Sequence, residues 1–165
     1  NLCDRSDRFT MSQLLLWRHA EAEDWHTLGD LARRLTPKGR EQAQRAAQWI
    51  LNLCQTQDWK PYLMVSPAVR AQQTAEALSR LCSWPIHTEA PIAPGADSGT
   101  FLQSVDRVRA DCVIAVGHQP TLGQVSARLL LHQTHDLSVK KSAVWWFQLR
   151  PERADNALRA VYYPD

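Results

Sequence analysis

The sequence has no CxxC pair, and its four cysteines, Cys3, Cys54, Cys82 and Cys112, are scattered along 165 residues. That spacing argues against a zinc ribbon or a disulfide framework, and with no secretory signal at the start the expected compartment is the reducing cytoplasm. No apolar run approaches the length of a bilayer span; the longest have the length of strands, so no membrane partner is expected. Charge of one sign is also scarce. Nineteen Lys and Arg against seventeen Asp and Glu leave a net +2, too little to demand a nucleic-acid or anionic-membrane partner. His26, His87, His132 and His135 form no HxH or HxxxH pair, so no metal site is expected there, and Leu131-His-Gln-Thr-His135 reads as a helix end. There is no internal repeat and no low-complexity segment.

What the sequence does have is 44% hydrophobic residues, enough for one domain with a core in a chain too short to divide comfortably in two. Residues 11–165 are expected to form that domain. Asn1 to Thr10, polar and containing Asp4-Arg5-Ser6-Asp7-Arg8, reads as a flexible extension ahead of it. Leu14-Leu-Leu-Trp17, Tyr62-Leu-Met-Val65 and Cys112-Val-Ile-Ala-Val116 are continuous apolar runs, the pattern of parallel strands covered on both faces. Pro85 to Glu89 reads as a further short strand.

Helices are expected between these strands. Thr36-Pro37 supplies an N-cap and a first-turn proline, followed at helical spacing by Ala43, Ala46, Ala47, Ile50, Leu51 and Cys54. Ser66-Pro67 repeats the start signal ahead of Ala71, Ala75, Leu78 and Cys82. Thr100 reads as the cap of a helix through Phe101, Leu102, Val105 and Val108, and Pro120 as the opening of one through Leu122, Val125, Leu129 and Leu130. Ala90 to Gly99 reads as a long loop. The C-terminal part changes character: Ala143 to Leu149 and Ala157 to Tyr163 are β-rich runs joined by the polar link Arg150 to Asn156, an antiparallel hairpin. The sum is an α/β domain, a three-layer α/β/α sandwich with a mostly parallel central sheet and an antiparallel C-terminal hairpin.

Three strand ends carry the chemistry. Arg18-His19 ends the first run, Ser66-Pro-Ala-Val-Arg70 follows the second, and Gly117-His118-Gln-Pro120 follows the third. In open α/β sheets the ligand site forms at the carboxyl ends of the strands, so neighbouring strands would bring Arg18, His19, Arg70 and His118 into one pocket. Like charges gathered in that way require an anion, and a phosphoryl dianion fits. A histidine nitrogen attacks phosphorus without prior deprotonation when a hydrogen bond fixes its tautomer, which makes His19 the expected nucleophile. Arg18 and Arg70 can fork onto the equatorial oxygens, and a protonated His118 would donate to another. With that much charge neutralised by side chains, no metal or other cofactor is required. Ser66 is expected to cap its helix, Gln119 lies close by, and Lys140-Lys141 reads as a solvated turn. Trp25, in the loop after His19 beside Glu23, Asp24 and His26, would line the pocket or merely cover it; Trp49, Trp145 and Trp146 fall in periodic apolar segments and read as packing residues.

Four segments in this order resemble the histidine phosphatase superfamily, the phosphoglycerate mutase-like fold, and within it the small phosphohistidine phosphatases of the SixA type. They are Leu15-Leu-Trp-Arg18-His19-Ala20-Glu21-Ala22, Leu35-Thr-Pro-Lys-Gly39 leading into Gln42-Ala43, Ser66-Pro-Ala-Val-Arg70-Ala-Gln-Gln-Thr74-Ala75, and Val116-Gly-His118-Gln-Pro120. The resemblance covers most of Met11 to Tyr163. It implies a phosphorylated His19, phosphoryl binding by Arg18 and Arg70, and a pocket completed by His118. Alanine at position 20 departs mildly from the glycine of the family's RHG. The larger departure is the missing general-acid glutamate: the segment where larger members carry it reads Pro91-Ile-Ala-Pro-Gly-Ala-Asp97 here. Imidazole leaves phosphorus more readily than an alkoxide, so a weak or absent acid fits a phosphoramidate substrate. Glu21, Glu23, Glu89 and Asp97 stand as alternative donors.

The expectation is therefore a metal-independent phosphatase working through a phosphohistidine intermediate, with phosphohistidine on a protein as the favoured substrate. A phosphatase of small phosphate esters and a non-catalytic phospho-binding module are the alternatives. The short rim implied by the missing insertion would admit a side chain presented by a phosphorylated protein or a small phosphate ester alike.

Overall fold

In the computed structural model, residues 12–150 and 155–165 are described; the extension Asn1 to Thr10 and the centre of the hairpin link lie outside them. Six strands, β1 (Gln13–Arg18), β2 (Tyr62–Val65), β3 (Ile86–Thr88), β4 (Cys112–Gly117), β5 (Val144–Gln148) and β6 (Ala157–Tyr162), form one sheet in the order β3-β2-β4-β1-β5-β6. The first four positions are parallel and β5 and β6 join antiparallel, with a register irregularity between Trp146 and Phe147. The parallel sheet and the antiparallel C-terminal pair read from the sequence are both present.

Helices α1 (Pro37–Gln57) and α2 (Val69–Ser79) cover one face of the sheet, and α3 (Ser98–Asp106) and α4 (Thr121–Leu131) cover the other. Strand alternation sorts the apolar runs between them. Leu15, Trp17, Ile114 and Val116 meet Ala46, Ala47, Ile50, Ala71, Ala75 and Leu78, whereas Leu14, Leu16, Val113 and Ala115 meet Phe101, Val105, Leu122, Val125 and Leu129. A strand sandwiched in this way has no polar face, which is why β1 and β4 read as unbroken apolar runs. Each fully buried Leu, Val or Phe contributes about 1.5–3 kcal/mol.

Local signals explain the helix ends. The Thr36 hydroxyl accepts from the Gly39 amide at 3.0 Å and Pro37 opens α1, while Asp58 closes it in the left-handed conformation at φ 55°. Gly39 has a second reason: a Cβ there would run into the carbonyl oxygen of Glu21. Three starts differ from the sequence expectation. The cap of α3 is Asp97, not Thr100; its carboxylate accepts from the Thr100 amide at 3.0 Å, an interaction that a loop carboxylate makes as readily as a hydroxyl. The N-cap of α2 is Ala68, without a side-chain cap bond, and Pro120 is the N-cap of α4 rather than its first helical residue. No helix among the described residues is long and apolar enough to cross a membrane.

Candidate active site

Strand register delivers the polar groups. Arg18 is paired with Gly117 across β1 and β4, and Val65 with Val116 across β2 and β4. His19, Ser66 and His118 therefore follow the last paired residues of three adjacent parallel strands. Two backbone bonds carry the alignment past the strand ends, His19 N–H to Gly117 O (3.1 Å) and Ser66 N–H to Val116 O (3.1 Å). The first turn of α2 adds Arg70. All four residues expected from the sequence line one cleft of about 230 Å³, together with Ala22, Asp24, Arg33, Pro94, Gln119 and Lys141.

His19 is buried at 7% exposure, and its Nδ1 lies 2.8 Å from the carbonyl oxygen of Ala20. A carbonyl only accepts, so Nδ1 carries the proton and Nε2 keeps its lone pair. Burial holds the His19 pKa down at about 4; the Ala20 bond acts against this, and Arg70, Arg18 and Arg33 add to it. The ring is neutral at physiological pH.

His118 stands 5.1 Å from His19 between ring centroids, tilted by 48°. Its Nε2 meets the Ser66 hydroxyl at 2.7 Å, and the same hydroxyl accepts from the Ala68 amide at 3.2 Å. Ser66 is thus a partner of the second histidine rather than the cap of α2. Burial, followed by the positive neighbours, pushes the His118 pKa down to about 3. The donor role expected of this histidine requires a protonated ring, and here desolvation, followed by His19 and the guanidinium groups of Arg70 and Arg18, disfavours the charged form.

Arg18 donates through Nη1 to Val139 O at 2.9 Å. Arg70 is 5% exposed and is held by one residue twice, through Nη1 to the Asp30 carbonyl (2.9 Å) and Nη2 to the Asp30 carboxylate (3.2 Å). Asp30 also bonds Arg33 Nη1 at 3.0 Å, and this bond, followed by the influence of Arg70, holds its carboxyl below the usual carboxylate range. Among the described residues, Arg18 Nε, Arg70 Nε and His118 Nδ1 are three of the four buried side-chain polar atoms with no hydrogen-bond partner. Buried polar atoms without partners are rare, and two guanidinium donors among the three in this cleft point to an acceptor-rich ligand.

The alternative acids lie elsewhere. Glu21 accepts from Thr36 Oγ1, Glu23 from the Arg34 amide and Glu89 from the Tyr62 hydroxyl, and none of them lines the cleft. Asp97 is occupied as the α3 cap, and the Thr100 amide bond holds its carboxyl below the usual range. The carboxylate on the wall is Asp24, which the sequence reading had noted only as a neighbour of Trp25. Trp25 itself is 72% exposed and is not among the lining residues. Arg33 and Asp30 were missed: they lie in a polar stretch with no periodicity, and only the folded loop brings them against Arg70. Lys141, expected in a solvated turn, is exposed but sits on the pocket wall.

A three-layer α/β sandwich that gathers two arginines and two histidines at adjoining strand ends offers a site suited to a phosphoryl group. The family model described as histidine phosphatase superfamily (branch 1) matches residues 14–93. An uncharacterised protein of Picosynechococcus sp. (strain ATCC 27264 / PCC 7002 / PR-6) is 33% identical over an alignment of 141 positions that covers 80% of this chain and 82% of that protein. The chain belongs to the histidine phosphatase superfamily.

Solved structures share the fold. The protein histidine phosphatase SixA complexed with tungstate superposes with a TM-score of 0.76 at 23% identity, covering 92% of this chain and 97% of that one. A proposed phosphohistidine phosphatase SixA from Agrobacterium tumefaciens gives 0.74 at 25% identity, covering 93% and 99%. The α-ribazole phosphatase of Shigella flexneri has the same fold at 17% identity, with a TM-score of 0.68 over 92% of this chain and 96% of that one.

Proposed function

We propose that the protein hydrolyses phosphohistidine on a protein, through transfer of the phosphoryl group to Nε2 of His19 and attack of water on the resulting phosphohistidine. The observation that carries the reading is the His19 ring: buried, neutral, and fixed by the Ala20 carbonyl with Nε2 as its nucleophilic nitrogen. In the first step Nε2 forms a bond to phosphorus as the bond from phosphorus to the substrate nitrogen breaks. In the second, water takes the phosphoryl group and the His19–phosphorus bond breaks, regenerating the neutral ring and releasing inorganic phosphate.

Arg18 and Arg70 supply the donors that meet the equatorial oxygens, their unpartnered Nε atoms among them, and His118 contributes a ring N–H. Those groups neutralise the developing charge, so the reaction is read as metal-independent. The position of the carboxylates favours a nitrogen leaving group, since Glu21, Glu23, Glu89 and Asp97 are engaged away from the cleft. A phosphorylated protein in the cytoplasm is the corresponding partner.

Asp24 favours a second reading, hydrolysis of a small phosphate ester, because a carboxyl on the cleft wall is where an alkoxide would find its proton. Rates on a phosphohistidine protein and on a panel of sugar, nucleotide and aryl phosphates separate the two: a preference for the esters overturns the first. The covalent step is tested by rapid acid-free quenching, which should trap an acid-labile, base-stable phosphoryl adduct on His19. A His19→Ala variant that keeps its turnover refutes the mechanism.

A further inference from the structure

The cleft of about 230 Å³ has room for a phosphoryl group and the ring that carries it, so most of any larger substrate must rest on the rim. One rim is the excursion between Ala22 and Leu35, which are joined by an antiparallel bridge. Asp24 and Arg33, near its two ends, line the cleft, and Asp30, in its 3₁₀ turn, is bonded to Arg70. Between them the loop turns three large apolar side chains to solvent: Trp25 at 72%, Leu28 at 82% and Leu31 at 54%, the highest exposures of any large apolar residue among those described.

The loop is also held in place. Glu23 N–H donates to Arg34 O (2.8 Å), Arg34 N–H to the Glu23 carboxylate (3.0 Å), Arg33 Nε to Glu23 O (2.5 Å), Gly29 N–H to His26 O (3.0 Å) and Leu28 N–H to His26 Nδ1 (3.0 Å). An apolar surface kept exposed by a bonded backbone has little ordering left to lose on binding. Three such side chains within seven residues, beside a charged cleft, are not the single scattered exposures of an ordinary surface.

We infer that Trp25, Leu28 and Leu31 form a docking surface for a protein segment that presents phosphohistidine beside apolar side chains. The inference rests on the proposed function and specifies its partner. The cationic cleft takes the phosphoryl group and the apolar loop takes the flanking side chains, so the two surfaces complement different parts of one ligand.

Two synthetic helical peptides test this, each carrying one histidine phosphorylated with potassium phosphoramidate, flanked at i±3 and i±4 by leucine in one and serine in the other. Free phosphohistidine is the third substrate. The wild-type protein should show kcat/KM about tenfold higher on the leucine peptide, mostly through KM. The combined Trp25→Ser, Leu28→Ser, Leu31→Ser variant should lose that preference and keep its rate on free phosphohistidine. Equal wild-type rates on the two peptides overturn the docking surface, as does a variant that loses free phosphohistidine and leucine peptide alike, or one that converts a wild-type dimer to monomers. A wild-type protein that hydrolyses p-nitrophenyl phosphate but none of the three phosphohistidine substrates has a different signature. That result overturns the functional reading and the docking surface with it.

Discussion

Two buried neutral histidines make the fold sensitive to mild acid. In the unfolded chain both rings have the ordinary pKa of 6.5, whereas in the fold His19 is held at about 4 and His118 at about 3. Between those values the unfolded chain binds more protons than the native protein, so stability falls as pH falls and is fully present above pH 6.5. From pH 7 to pH 4.5 linkage gives a loss of roughly 2–3 kcal/mol for either ring taken alone. The two together lose roughly 4–5 kcal/mol, since both rings remain mostly neutral in the fold at the lower pH. The perturbation is His118→Gln, which removes one titrating group and keeps a polar side chain near Ser66. The assay is urea unfolding followed by tryptophan fluorescence at the two pH values. The variant should gain about 2 kcal/mol on the wild type as the pH is lowered, because changes in groups distant from the histidine pair cancel in the difference. Identical losses in wild type and variant would refute the reasoning, since they would mean that His118 is protonated in the fold as readily as in the unfolded chain.

Arg70→Ala should lower kcat on the preferred substrate roughly a hundred- to a thousandfold, the usual cost of a transition-state donor; steady-state kinetics measure it, and a change confined to KM would contradict the role. Asp97→Ala should remove the α3 cap and lower the thermal midpoint while leaving kcat unchanged, and a large fall in kcat would restore Asp97 as the acid. Gly39→Ala and Gly123→Ala should each destabilise the fold by about 1–3 kcal/mol, since the new Cβ atoms would meet the carbonyl oxygens of Glu21 and Leu137. Denaturant titration checks both.

What the sequence made legible follows from the range of the interactions involved. β1, β2 and β4 could be read because a strand covered on both faces is apolar throughout, and the start of α1 because Thr36 and Pro37 are adjacent in sequence. Arg18, His19, Arg70 and His118 could be read because they sit at the ends of such elements, and the parallel register places those ends side by side. Asp97 was misread because Thr100 is an equally good cap by type, and only backbone geometry at Asp97, with φ −69° and ψ 137°, separates them. The Ser66–His118 bond joins residues 52 apart, and the Asp30–Arg70 bond residues 40 apart. Neither has a local pattern. The neutrality of His118 belongs to the same class, since the burial and the neighbouring His19, Arg70 and Arg18 that enforce it come together only after folding.

The place of β1 in the sheet has a consequence for how long the nucleophile stays in position. Its backbone is paired on one side with β4 and on the other with β5, and Leu14, Leu15, Leu16 and Trp17 are fully buried. The amide protons of such a strand exchange with solvent only when the sheet as a whole opens, so they report the global free energy of unfolding. Leu28, nine residues beyond His19, is among the most exposed side chains of the molecule. Hydrogen exchange should therefore pass over that short stretch from amides released only by global unfolding to loop amides, such as that of Leu28 on the His26 ring, released by local opening. The histidine that would hold the phosphoryl group lies on the protected side of the boundary, and the surface that would meet the partner on the exposed side.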